Sequence, residues 1–171
     1  MPTQIKGGVE LRKALRNFTP DLAKETTKEI GSFLKPVVRN ARGFMPAESP
    51  LSGWAARSFN EGKFPTYNGT IAKRGIKYKT SPSKANRRGF RSLVSILNTS
   101  AAGAIYETAG RKNAGGKFSP KLGGELVGAG QKLQGRAMFR AWDQDQGKAK
   151  AAVLKAIFSA ADKFNKTKRS R

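Results

Sequence analysis

The stretch that decides the fold runs from Gly7 to Pro46, "GGVELRKALRNFTPDLAKETTKEIGSFLKPVVRNARGFMP". Leu11, Leu15 and Phe18 recur at helical spacing, and so do Leu22, Thr26, Ile30, Phe33, Val37 and Ala41. Steps of three and four place these side chains on one face of a helix. Thr19-Pro20-Asp21 marks a restart, with an N-cap residue, a proline in the first turn and an acid near the positive end of the helix dipole. The spacing predicts a short helix over 8–17 and a long one over 20–43. Pro36 falls inside the second, where a proline removes a backbone donor and crowds the preceding turn, so a kink is expected. Met45-Pro46 ends it.

Downstream, "PAESPLSGWAARSFNEGKFPTYNG" is punctuated by Pro and Gly and reads as irregular chain. Trp54 and Phe59 are its expected anchors. "TIAKRGIKYKT" and "FRSLVSILNTS" read as strands, joined by the basic turn "SPSKANRRG". From Arg57 to Arg91 there are ten Lys and Arg and one acid, Glu61. The region of about 110–135 carries eight glycines and reads as a loop or arm that orders against a partner. Helix returns at the end, where Ala149, Val153, Ile157, Ala160 and Phe164 share a face. Residues 166–171 read as a basic, disordered tail. The reading is of one domain over 1–165, helical at both ends, with strand-like pieces and extended loops or arms between.

Charge is the strongest compositional signal, with 34 Lys and Arg against 11 Asp and Glu and a net +23. Such a field favours a polyanion, nucleic acid foremost. The chain has no Cys and no His. That excludes disulfides, thiol nucleophiles, Cys-based zinc sites and imidazole-dependent triads. No apolar run approaches a membrane span, and the first residues lack a signal-peptide core, so synthesis in the host cytoplasm and no membrane partner are expected.

Neither local motif that suggests chemistry completes its pattern. "GELVGAGQKLQG" lacks the spacing of a phosphate-binding loop. "DQDQGK" starts like a calcium loop but lacks the later acids, and Asp143 and Asp145 read more simply as caps of the following helix. The remaining carboxylates are scattered. No catalytic residue, cofactor or metal is expected, and an enzyme is not the reading. Glu107, in "AIYETAG", is expected to make a charge-assisted contact with an Arg or with backbone donors, of its own chain or a neighbour's.

Four segments carry a resemblance: "VVRNARGFMP", "SPLSGWAARSF", "AIYETAG" and "GRAMFRAW". Their order resembles that of the tail-completion, or head–tail connector, family of long-tailed bacteriophages. Ala137-Met138 stands where that family usually has a proline, and the glycine-rich insert after Gly110 is long. The resemblance implies an α+β fold, with a long N-terminal helix and a C-terminal helix packed on a small, mostly antiparallel sheet, and a structural protein of the virion neck. It also implies a homo-oligomeric, commonly sixfold, ring between the head-closure or connector protein and the tail terminator or tail tube. DNA touches such a ring only in transit. Trp54, Tyr106, Glu107 and Phe118 are the candidate subunit contacts, since aromatic anchors dominate many interfaces. The alternative reading is a basic nucleic-acid-binding protein. Its candidate polyanion contacts are Lys73, Arg74, Lys77, Lys79, Arg87, Arg88, Lys168, Arg169 and Arg171.

Overall fold

A computed structural model describes residues 7–51, 54, 65–87, 89, 91–111, 121–128 and 134–169. In chain order the elements are α1 (Gly8–Phe18), α2 (Pro20–Gly43), α3 (Gly69–Gly75), β1 (Ile76–Lys79), β2 (Ser95–Asn98), α4 (Ala101–Thr108) and α5 (Met138–Arg169). The two strands pair antiparallel. The fold is therefore α+β, with long terminal helices and a small sheet.

The chain forms two compact units. The first comprises residues up to Pro36, Tyr78–Ser95 and Gln146 onward; the second comprises Val37–Lys77 and Ile96–Asp145. The chain passes from the first unit to the second within α2, immediately after Pro36, the residue read as a kink.

The helical stripe read from the opening stretch is the core of the first unit. Ile30 and Leu34 of α2 pack with Val153, Ala156 and Ile157 of α5, and Leu11, Phe33, Tyr78, Leu93 and Val94 close around them. Full burial of each large aliphatic side chain is worth about 1.5–3 kcal/mol. Gly31 is small because the Tyr78 ring lies against it. One member of the interior is not apolar: Arg12 of α1 is only 7% exposed. Its guanidinium donates to the carbonyls of Thr80 and Leu93 (3.2 Å for the latter) and to the Thr27 hydroxyl at 3.4 Å. Burial, then repulsion from Arg16, lowers its pKa.

The second unit is built on Val37, Val38, Ala41 and Met45, with Trp54, Tyr67, Ala72, Ile76, Tyr106 and Leu122. Trp54 donates its indole N–H to the Pro65 carbonyl at 2.8 Å and tilts against Tyr67, ring centres 5.0 Å apart. Tyr67 in turn donates to the Pro46 carbonyl at 2.7 Å. Two aromatic rings thus close the irregular segment onto the end of α2. Phe59, the other expected anchor, lies outside the described residues.

Three local expectations are corrected. "TIAKRG" is helix rather than strand: the Asn68 side chain accepts from the Ile71 N–H and starts α3, and only Ile76–Lys79 is extended. Asp143 and Asp145 do not cap α5, because the helix begins at Met138, upstream of both. Asp145 instead accepts from the Asn40 amide at 2.7 Å. The basic tail continues α5 as far as Arg169. Within the region read as a loose arm, Leu122 is buried and Val127 pairs antiparallel with Gly135. These parts of the arm pack on their own chain.

Candidate functional site

The second unit encloses a charged node between α4 and the start of α5. Helix α4 starts where the Ser100 hydroxyl accepts from the Gly103 N–H at 3.1 Å. Asn98 braces that start, accepting from the Ser100 N–H at 2.8 Å and donating to the Ala72 carbonyl at 3.3 Å. Its amide lies where a Cβ on Gly75 or Gly103 would stand, so neither position admits a larger residue without movement. Ala102, Gly103, Tyr106 and Glu107 then form the buried side of α4. Gly110, at φ 86°, turns the chain away after the last turn.

Glu107 is 1% exposed. Its carboxylate accepts from the backbone N–H groups of Ala137 (2.8 Å), Met138 (3.1 Å) and Phe139 (3.0 Å). These are donors that the first turn of a helix leaves without intrahelical partners, and the positive end of the helix dipole adds to the attraction. A side chain some thirty residues upstream therefore caps α5. Gly135 permits the approach, since a Cβ there would fall on the Glu107 carboxylate.

The opposite exchange runs through Arg136, which is 4% exposed. It donates to the carbonyls of Tyr106 (2.9 Å) and Ala109 (2.6 Å) at the end of α4, and to Gly123 at 3.0 Å. A cation at a helix C-terminus again meets the favourable end of the dipole. Each helix end is thus capped by a charge from the segment that carries the other. The Arg136 guanidinium also lies 5.8 Å from the Tyr106 ring centre, Arg111 lies 4.8 Å from that of Phe139, and Arg140 lies 4.7 Å from that of Phe44. Burial lowers the Arg136 pKa, opposed by Tyr106 and Glu107. Burial raises the Tyr106 phenol, against the pull of Arg136. The Tyr67 phenol is pushed up to about 12, by burial first and then by Tyr106.

This arrangement is a structural joint. Among the described residues no three acids gather into a metal-binding group. No helix of the described chain is long and apolar enough to cross a membrane. Trp54, Tyr106 and Glu107 are 3%, 5% and 1% exposed, and Trp54 and Glu107 direct side-chain hydrogen bonds to the backbone of their own chain. Any part they take in subunit contact is therefore indirect, through the backbone they hold. Phe118, Arg88 and Arg171 lie outside the described residues, as do the side chains of Lys168 and Arg169. Of the other basic candidates, Arg74, Lys77, Lys79 and Arg87 are exposed and Lys73 is half-buried. Lys73, Arg74 and Lys77 belong to the second unit, Lys79 and Arg87 to the first, and Lys77 and Lys79 are the two exposed residues of β1.

Sequence reasoning passed over Arg12, Asn98 and Arg136. Arg12 sits in an amphipathic helix where a basic residue ordinarily faces water, and no local pattern marks it as buried. Asn98 and Arg136 act across distances that only the fold closes. A hint lay in Gly75 and Gly103, which leave room for the Asn98 amide. Compared with known proteins, the chain matches no family model, no curated protein and no solved structure.

Proposed function

We propose that this chain is a structural protein of the neck of a long-tailed bacteriophage, joining the head connector to the tail as an oligomeric ring around the DNA channel. The observation that carries the reading is the node itself. "AIYETAG" and "GRAMFRAW", two of the four segments that resemble the tail-completion family, interlock through Glu107 and Arg136. Two short patterns that are separate in sequence thus form one physical constraint, which gives them a reason to occur together. The α+β architecture also matches what the resemblance implies. On this reading the chain carries no chemistry. Its virion location and its contacts with head-closure and tail proteins follow from the same proposal.

The test is electron microscopy of the purified chain, together with a search for it in purified virions by mass spectrometry. Rings, commonly sixfold, and a fixed copy number per particle are expected. A strict monomer that is also absent from virions would sink the proposal.

A further inference from the structure

The first unit contains a basic hairpin that the joint between α4 and α5 does not use. From Tyr78 to Ser95 the sequence holds five Lys and Arg and no acid. β1 and β2 form a two-stranded antiparallel ribbon, and the pairing resumes beyond them where the Ser83 N–H donates to the Ser92 carbonyl at 2.9 Å. The Ser92 N–H returns a bond to the Ser83 hydroxyl at 2.9 Å. At the tip, the Gly89 N–H donates to the Asn86 carbonyl at 2.9 Å, and Gly89 takes φ 74°. The base of the hairpin is held from inside by Arg12, which grips Thr80 on one side and Leu93 on the other.

Lys79, Lys84, Arg87 and Arg91 are all exposed. Among the described residues none of their side chains has an acceptor or carboxylate partner. The described tip residues are small, polar or basic. Protein interfaces favour aromatic residues and arginine and disfavour lysine. Exposed Lys and Arg with no acid among them suit phosphate. The major groove of a duplex admits a two-stranded ribbon, while the adjoining backbones present closely spaced phosphates.

We infer that this hairpin is a nucleic-acid contact, in which Lys79, Lys84, Arg87 and Arg91 engage the phosphates of a double helix. The inference is independent of the neck reading. Binding is carried by charge and is indifferent to sequence.

The experiment measures fluorescence anisotropy of a labelled 20-base-pair DNA duplex of mixed sequence, titrated with the full chain across a salt series. A triple substitution, Lys84→Gln, Arg87→Gln and Arg91→Gln, is compared with Lys13→Gln, Lys28→Gln and Lys35→Gln. The second set removes the same charge from exposed positions on α1 and α2. The hairpin variant should bind about 10- to 100-fold more weakly at 0.1 M salt. Its log–log salt slope should be shallower by about 2.7, from three lost phosphate contacts. The control variant should lose far less of both. Circular dichroism should show both variants folded as the parent. Equal losses in the two variants would mean diffuse charge and overturn the assignment. Failure of the parent chain to bind duplex at low salt, or tighter binding to a single strand of the same length, would overturn it as well. Virion content and ring formation read a different property, so either proposal can fail alone.

Discussion

At the scale of single residues, the chain places its buried charges at helix ends. Glu107 satisfies three backbone donors that would otherwise be enclosed without partners. Glu107→Gln keeps the size but offers one acceptor oxygen and turns an amide donor toward N–H groups. An enclosed donor without a partner costs about 1–3 kcal/mol, so the substitution should lower unfolding stability by about 2–4 kcal/mol. Urea denaturation of the two chains measures the difference. Tyr67 gives a pH dependence of determined sign. Its folded-state pKa of about 12 lies above the ordinary 10.0. The contribution is complete below pH 10, where the phenol is neutral in both states. It is lost as pH rises from about 10 to about 12, because the unfolded chain ionises first. Denaturation midpoints measured from pH 9 to pH 11.5 should fall less steeply for Tyr67→Phe than for the parent. Sequence reasoning singled out Glu107 for a charge-assisted contact. The donors that meet it belong to residues thirty positions away, beyond the reach of any local pattern.

Among the elements, legibility followed the range of the forces involved. α1 and α2 were readable to within a residue because apolar periodicity and a proline restart are local signals. α3 was misread. Ile71 and Ile76 with their intervening bases look like strand alternation, yet one side-chain cap from Asn68 turns the first half into helix. The capping role read for Asp143 and Asp145 failed because the true cap of α5 is Glu107, on α4. Where a cap is local, its worth is predictable. Ser100→Ala should remove the α4 cap and cost about 1 kcal/mol. The midpoint of thermal or urea unfolding reports it, with α4 amides gaining hydrogen-exchange rate ahead of those in the buried part of α2.

For the molecule as a whole, the net +23 and the order of the motifs point outward to assembly and to polyanions. The structure divides the basic candidates between two units and encloses three of the candidate interface residues. Oligomer contacts on the neck reading must therefore use surface other than those side chains. Replacing Trp54 by Ala should disturb assembly only by loosening the Pro46–Tyr67 closure. Stability should fall by about 3–5 kcal/mol, the usual range for a buried aromatic cut back to alanine. Analytical ultracentrifugation alongside denaturation separates the two effects. Loss of rings with unchanged stability would instead assign Trp54 a direct contact.

The amino-acid sequence alone determined the two long helices and their buried face, a strand within Thr70–Thr80 and the exclusion of cysteine and histidine chemistry. These follow from composition and from periodicities of two and of three to four residues, which act over a few positions. Tertiary structure alone decided that Arg12 lies inside and that Glu107 and Arg136 exchange caps between two helix ends. Each of these depends on the desolvation of a polar group by distant chain, and desolvation is a property of the packed volume rather than of neighbours in sequence.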